Sequence, residues 1–378
     1  MKILHVITSL DHGGAQTMLT ELALQFQHRG VSNLIVSMTS QNAFAKQLGS
    51  QNIPVEILNM HQGRSLLTGF AKLRSLIRRF QPDIVQTWLY HADLAGGLAA
   101  RLSRVPVVWG IHHTAGQNHL LKPATQAVVQ INKLISGFVP SQIICCSQSA
   151  YDSHLARGFS PAKLTLAQNG VDTIRFQPNE IIRQELRTNL HIPESATIIG
   201  HCGRFHPAKG HLVFIQAASE LLKLHPELHF VMCGSGIDAE NQKLTHWIAP
   251  TNLRDHIHLL GPQDGLDKIL PGFDIFVSSS LEEALPLTVC EAMACQVPCV
   301  VTNVGDQARI VEKTGICVIP NSASEITRGC NILLNLHQQE RAFLGLSARR
   351  RIQENFSLQS TAEKYLSIYN RVIHKGVS

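Results

Sequence analysis

Along the chain, short unbroken apolar blocks alternate with longer stretches in which apolar residues return every three or four positions. The first block, Ile3–Ile7, has the length of a strand. It is followed by a helical pattern over about Ala15–His28, with Leu19, Leu22, Ala23 and Phe26 on one face. Leu34–Met38 and Val55–Leu58 read as strands, with a helix over Phe44–Ser50 between them. A helix over about Leu66–Arg79 puts Leu66, Phe70, Leu73 and Ile77 on one side, and Ile84–Thr87 is a short buried strand. A helix over Asp93–Arg101, the strand Val107–Ile111, a helix near Val128–Ser136 and strand-like Gln142–Ser147 follow.

The pattern restarts after Asn169-Gly170-Val171-Asp172. Strands are expected over Ile198–Cys202, His229–Cys233, Ile257–Leu260, Ile275–Ser278, Pro298–Thr302 and Gly315–Ile319. Helices are expected over His211–Leu224, Ala239–Trp247, Leu266–Leu270, Thr288–Cys295, Ala323–Leu336 and Glu340–Asn355. A last helix, about Leu358–His374, lies past the sheet that the second half needs. Buried strands alternating with helices at this spacing specify mostly parallel sheets covered on both faces. The expected fold class is therefore α/β, with two Rossmann-like domains facing each other across a cleft. Open α/β sheets bind ligands at the C-terminal edges of their strands, which here line that cleft.

Composition agrees with two buried cores. The chain has 378 residues, 44% hydrophobic and 16% charged, more than one core usually serves. All nine cysteines lie beyond residue 144, several inside apolar runs, with no closely spaced ligand quartet. They read as buried thiols of a reducing cytosol. The opening apolar block is too short for a secretory core segment, and no run of 18 apolar residues appears. A cytoplasmic location is expected, with a peripheral place on the inner face of the plasma membrane compatible with the charge. Residues 1–172 hold 14 Lys and Arg against 7 Asp and Glu, whereas residues 173–378 hold 19 against 20. The basic half suits an anionic phospholipid surface or a phosphate-linked acceptor, or is ordinary solvated surface. Nucleic acid is disfavoured, because no basic stripe interleaves with aromatics.

Candidate chemistry gathers where strands end. Ser280-Leu281-Glu282-Glu283-Ala284-Leu285-Pro286-Leu287-Thr288 follows a strand and opens a helix carrying Glu291. Exposed N–H groups there suit phosphate or sugar oxygens, and the carboxylates of Glu283 and Glu291 suit sugar or ribose hydroxyls. The bland alternative is a capped helix with two surface acids. Gly203-Arg204 and Lys209-Gly210 follow another strand, with two cations placed as a diphosphate clamp, or as a polar loop. Gly13-Gly14 after the first strand and Gly234-Ser235-Gly236 are weaker signals of close backbone approach. His112-His113 ends Val107–Ile111, and either ring suits a ligand or an ordinary core position. No Asp-x-Asp pair is present to hold a metal against a diphosphate, so cations and helix N-termini must stabilise that charge.

In order along nearly the whole chain, these segments resemble the retaining GT-B glycosyltransferases of glycosyltransferase family 4, group 1, of the bacterial cell-envelope and capsule type. The strongest part runs from Glu283 through Glu291-Ala292-Met293-Ala294 to Pro298-Cys299-Val300-Val301, with Val304-Gly305-Asp306 beyond. The resemblance implies an acceptor-binding domain over 1–172, a donor-binding domain over 173–355, and a helix over 356–378 crossing back to the first. It implies Arg204 and Lys209 on the donor diphosphate, Glu291 on the ribose and Glu283 at the donor sugar. Ala284, Leu285, Pro286 and Leu287 would line the sugar, Thr288 would lie near the phosphate, and Leu259 and Leu260 near the base. His113 would meet the sugar near the anomeric centre, and Gly14 would lie beside the diphosphate and acceptor.

The implied reaction is retaining, metal-independent transfer of a hexosyl or N-acetylhexosaminyl group from a nucleotide-sugar, UDP favoured, without a cofactor. The implied acceptor is a saccharide or a lipid-linked saccharide. Alternatives are a GT-B-like sugar-nucleotide epimerase or hydrolase, or a non-catalytic nucleotide-sugar-binding partner subunit. Three departures stand out: Ala284 and Gln296 where glycine is usual, and Arg309 where an acid is frequent.

Overall fold

The apolar blocks become strands of two parallel sheets in a computed structural model of the protein, which describes residues 1–11, 13–40, 43–60, 64–114 and 122–375. One unit comprises residues 1–169 together with the chain from Leu358 onward; the other is Gly170–Ser357.

In the first unit the strands are β1 (Lys2–Ile7), β2 (Ser32–Ser37), β3 (Val55–Ile57), β4 (Ile84–Trp88), β5 (Val107–Ile111), β6 (Gln142–Cys145) and β7 (Leu164–Leu166). They pair in parallel in the order β3-β2-β1-β4-β5-β6-β7. The helices between them are α1 (Gly14–His28), α2 (Ala45–Ser50), α3 (Arg64–Phe80), α4 (Tyr90–Leu102), α5 (Pro123–Ile135) and α6 (Gln148–Ala156). The second unit repeats the scheme with β8 (Thr197–Cys202), β9 (Leu228–Cys233), β10 (Ile257–Leu259), β11 (Ile275–Ser278), β12 (Cys299–Thr302) and β13 (Ile316–Val318). Its order is β10-β9-β8-β11-β12-β13, again parallel. Its helices are α7 (Glu180–Asn189), α8 (His211–Leu224), α9 (Gln242–Ile248), α10 (Leu287–Ala294), α11 (Gln307–Val311), α12 (Ala323–Leu334) and α13 (Gln338–Asn355).

The last helix, α14 (Leu358–Lys375), belongs to the first unit. Its Leu358, Ala362, Tyr365, Ile368 and Tyr369 are buried in one core with Ile3, Phe26, Trp88 and Ile144. Trp88 stacks on Tyr365 (6.2 Å, 7°), and Tyr369 donates its hydroxyl to Gln86 Oε1 at 2.9 Å. These aromatic contacts with β4 make the helix part of the core.

Several expectations need correction. Leu66 is exposed, because Met60 lies on Gly69 and the buried face of α3 runs through Leu73, Leu76 and Ile77. Leu266–Leu270 is not one helix: two 3-10 turns, Leu266–Lys268 and Leu270–Gly272, take its place, separated at Ile269 (φ −126°), and Pro271 in the second has no N–H for a helical bond. The helices expected at Asp93 and Val128 begin earlier, at Tyr90 and Pro123. Cys317 is exposed, whereas the other eight cysteines are buried and all nine are free. Helices α6, α7 and α11 and strand β7 carried no clear apolar period and were not expected.

Candidate functional site

In the second unit the sheet grows outward in both directions from the neighbours β8 and β11, so the connections leave to opposite sides there. A crevice at the C-terminal ends of such a pair is the usual ligand position in open α/β sheets. The loops after β8 and β11 carry the candidate residues.

After β8, His206 Nδ1 accepts from the Ala208 amide (3.2 Å) and starts a 3-10 turn over Pro207–Lys209. Gly210, at φ +65°, ends that turn. A Cβ there would lie 2.1 Å from the Ser279 carbonyl oxygen, so only glycine lets the two loops meet. The Ser279 hydroxyl donates to the carbonyls of Lys209 (3.0 Å) and Gly210 (3.1 Å), and His201 Nε2 lies 3.0 Å from the same hydroxyl oxygen. His211 Nε2 holds the Arg204 carbonyl at 2.9 Å. Burial lowers the His211 pKa to about 4, with the charge of Lys209 acting in the same direction against the bond to Arg204. The ring therefore stays neutral at physiological pH and donates to that carbonyl.

Lys209 reaches across to the loop after β11, where its Nζ donates to Glu283 Oε1 at 2.5 Å. The Ser280 hydroxyl donates to the same oxygen at 2.7 Å. Both side chains of the ion pair are largely shielded, 24% exposed for Lys209 and 12% for Glu283. No described residue hydrogen-bonds Oε2 of Glu283, which leaves that oxygen for a ligand hydroxyl.

The turn after Glu283 is held from β12. The Asp306 amide donates to the Ala284 carbonyl (2.9 Å), and the Thr302 hydroxyl donates to the Ser280 carbonyl (2.6 Å). Gln307 donates in turn to the Thr302 oxygen (3.0 Å). Gly305, at φ +57°, presses on the Glu283 carbonyl, which a Cβ would meet at 2.3 Å. Helix α10 begins right after this turn. Leu285 and Pro286 are buried, Ala284, Leu287 and Thr288 are half-buried, and Glu291 is buried one turn on. Burial raises the thiols of Cys202, Cys290 and Cys295, and the Glu291 charge adds to each shift.

Arg204 is exposed, and no described residue pairs with its guanidinium. Burial lowers the His206 pKa, and the charges of Arg204 and Lys209 lower it further. Leu259 ends β10, and the half-buried Leu260 bonds through its amide to the Met232 carbonyl (2.9 Å). Those two leucines therefore lie beside the turn after β9. The sequence pointed to Lys209 and Glu283 separately, and the structure brings them into contact. Ser279 and His211 were missed, and Ser280, named at the head of the candidate segment, was given no role. Ser280 lies three residues before Glu283 in that segment, close enough for its hydroxyl to reach the carboxylate.

In the first unit, taken by itself, Gly14 opens α1 and is exposed, and a Cβ built on it meets no atom within 4 Å. The pair His112-His113 divides by environment. His112 is buried and stacked on Trp88 (4.9 Å), and burial lowers its pKa to about 3, assisted by His113. His113 is exposed, its ring 6.2 Å from that of Tyr90. Asp93 was not anticipated as a site feature. It is buried, accepts from the Thr87 hydroxyl (2.6 Å), and burial raises its pKa to about 8.

Among the described residues no group of His, Cys, Asp and Glu side chains is placed to hold a metal ion. No described helix is long and apolar enough to cross a membrane.

The profile of the Glycosyl transferases group 1 family matches residues 182–351, and that of Glycosyltransferase Family 4 matches residues 12–175. The UDP-Gal:alpha-D-GlcNAc-diphosphoundecaprenol alpha-1,3-galactosyltransferase of Escherichia coli is 25% identical over 311 residues, 80% of this chain and 79% of that one. The putative glycosyltransferase EpsF of Bacillus subtilis is 25% identical over 313 residues, with the same shares. Among solved structures, HepE of Anabaena in complex with UDP-glucose superposes with a TM-score of 0.88 at 21% identity, covering 98% of this chain and 100% of that one.

Proposed function

We propose that this chain, which belongs to the GT-B-fold glycosyltransferases related to group 1 and family 4, transfers a hexosyl or N-acetylhexosaminyl group from a UDP-sugar to a saccharide or lipid-linked acceptor, with retention and without a divalent metal. The observation that carries the reading is the Lys209–Glu283–Ser280 group at the diverging strands β8 and β11. It offers a cation for a diphosphate and a carboxylate oxygen for a sugar hydroxyl within one hydrogen-bonded unit. UDP as the donor's nucleotide is supported by HepE, solved with UDP-glucose, and by the UDP-Gal in the name of the Escherichia coli relative. The diphosphoundecaprenol in that name supports a lipid-linked acceptor and with it contact with a membrane.

In this reading residues 173–355 hold the donor and residues 1–172 the acceptor. Arg204 and Lys209 bind the diphosphate, Glu291 the ribose diol and Glu283 the sugar. The backbone of Ala284, Leu285, Pro286 and Leu287 lines the sugar, Thr288 lies by the phosphate, and Leu259 and Leu260 flank the base. His113 meets the sugar near its anomeric carbon, and Gly14 lies beside the diphosphate. The acceptor oxygen bonds to the anomeric carbon on the face from which the phosphate oxygen leaves. The acceptor's proton passes to that departing oxygen, so no base is consumed. Arg204 and Lys209 stabilise charge that grows as the bond breaks, which lowers the barrier more than it tightens donor binding.

A thermal-shift panel of UDP-, GDP- and ADP-sugars in EDTA tests the reading, since a ligand of the native state raises Tm. A UDP-sugar should shift Tm. No shift with any nucleotide sinks the donor site, and a shift that needs added Mg²⁺ sinks metal independence. Proton NMR of the glycoside formed then reads the anomeric configuration, and donor consumption without an acceptor would indicate an epimerase or hydrolase.

A further inference from the structure

Helix α5 turns an apolar ridge outward. Ala124, Ala127, Ile131, Leu134 and, just beyond its end, Phe138 recur at three- and four-residue spacing on the exposed side. Ile131 is 43% exposed, Leu134 72% and Phe138 79%. The opposite side is seated, with Val129 buried and the Asn132 amide donating to the Tyr90 carbonyl at 2.8 Å. A surface helix normally keeps its polar residues outside, and this one reverses that order at its C-terminal half.

Beside the ridge lies a notch of about 200 Å³ lined by Val129, Gln130, Lys133, Arg157 and Phe159. It is a fixed feature. The Ser160 amide donates to the Ser136 hydroxyl oxygen (3.0 Å), which ties the end of α5 to the turn after α6. Phe159 is buried edge-on to His154 (4.9 Å). Lys133 lies across Gly158 and lines the notch together with Arg157. Nη1 of Arg157 is buried with no hydrogen-bond partner among the described residues. Neither cation is in an ion pair with a described residue. A buried guanidinium N–H without an acceptor is costly, and two cations lining one notch repel, so the notch favours an anion. The local sequence is poor in acids: residues 94–151 contain no Asp or Glu, against Arg101, Arg104, Lys122 and Lys133, and Asp152 of α6 accepts from the Gln148 amide at 2.7 Å.

We propose that the notch takes the phosphate of an anionic membrane phospholipid while Ile131, Leu134 and Phe138 enter the boundary between headgroups and acyl chains. Lys133 and Arg157 grip the phosphate oxygens, Gln130 adds an amide donor at the rim, and the ridge supplies the apolar part of the contact. Charge decides for a phospholipid over a second copy of this chain, since two such faces would oppose like cations. The proposal deepens the membrane contact given above and rests on it for its purpose, while the binding itself does not depend on sugar transfer.

Flotation of the full chain with phosphatidylcholine vesicles, with and without phosphatidylglycerol, tests it. Wild type should float only with the phosphatidylglycerol vesicles. Lys133→Gln/Arg157→Gln should lower the partition coefficient about 25-fold, from roughly fivefold per surface cation. Leu134→Ser/Phe138→Ser should lower it further at high salt, where the apolar part dominates. Equal flotation of wild type and both variants overturns the proposal. So does a Tm rise of wild type in inorganic phosphate, lost in Lys133→Gln/Arg157→Gln, without flotation, which would mark a site for a free anion. A dimer by sedimentation that Phe138→Ser dissolves, without flotation, assigns the ridge to a second copy and overturns it too. The UDP-induced Tm shift, read on every variant, reports an intact fold. Flotation without any UDP shift would leave this site standing and the donor reading refuted.

Discussion

Glu283→Gln removes one negative charge from the proposed donor site and keeps its shape. The amide oxygen of the variant would still accept the Ser280 hydroxyl at the position of Oε1, so the turn before α10 should stay in place. What changes is the hold on Lys209, now bound to a neutral oxygen. Two unit charges about 4 Å apart attract by about 4 kcal/mol at an effective dielectric of about 20, an upper bound for this pair. A charge-assisted bond nets about 1.5–3 kcal/mol after desolvation. A diphosphate arriving at Lys209 has to share the ammonium with Glu283, so roughly half of that net is lost on binding and regained in the variant. UDP should then bind Glu283→Gln up to about tenfold more tightly than wild type, since about 1.4 kcal/mol is a factor of ten.

Turnover should fall in the same variant, because the carboxylate proposed to hold the sugar is gone. The advantage of UDP-sugar over UDP should shrink with it. Lys209→Met should weaken UDP by about 10- to 100-fold, the net of one charge-assisted bond. Isothermal titration calorimetry with UDP and UDP-sugars on the three proteins, alongside donor consumption, reads all of these. If Glu283→Gln weakens UDP as much as Lys209→Met does, the carboxylate helps to bind the nucleotide, and competition for Lys209 is the wrong account.

Gly14→Ala meets no atom in the fold and improves helix propensity by up to about 1 kcal/mol, so Tm should hold or rise. If ligand approaches Gly14 as proposed, kcat/KM should drop, and unchanged kinetics would remove this residue from the site. Gln296 follows the C-cap of α10 at φ +63°, where glycine costs least, so Gln296→Gly should stabilise by about 1 kcal/mol in urea denaturation. A loss of stability would show that its side chain packs usefully. Burial lowers the pKa of His5, His154 and His211 to about 4 and of His112 to about 3. The unfolded chain therefore binds more protons between about pH 6.5 and 4, and stability should fall as pH falls through that window, by up to about 1.4 kcal/mol per pH unit for each ring. Urea midpoints at about pH 7 and pH 5 check this, and equal midpoints would refute it.

Period and length were enough for the sheets, because parallel strands buried on both faces leave unbroken apolar runs. All six strands of the second unit lie within a residue of their expected bounds. The missed helices are those whose burial is slight or polar. Helix α7, Glu-Ile-Ile-Arg-Gln-Glu-Leu-Arg-Thr-Asn, buries Leu186 and also Arg187, and Ile181 stays exposed. Arg187 is there because Asp274 accepts its Nη2 at 2.9 Å and the carbonyls of Pro193 and Ala196 accept its Nη1. A helix packed through a paired arginine has no apolar period to display. In the candidate site, residue types were readable and contacts were not. Lys209 and Glu283 are 74 positions apart, and their meeting depends on Gly210 fitting under the Ser279 carbonyl. That is a property of two loops on neighbouring strands, invisible until β8 and β11 are known to pair.

The two glycine replacements near Glu283 show how backbone conformation separates a tolerated substitution from a strained one. Ala284 is absent from the residues with positive φ, and its carbonyl accepts the Asp306 amide, so its methyl leaves the backbone of the turn after Glu283 in place. Gln296 does sit at positive φ, but at the other end of α10, and eight helical residues span about 12 Å. Its strain therefore falls on the helix end, where its carbonyl packs against Gly345, and not on the turn that carries Glu283. The departure from the family pattern at residue 296 thus bears on stability, whereas the site residues Lys209, Ser280 and Glu283 form a closed hydrogen-bonded unit that does not include it.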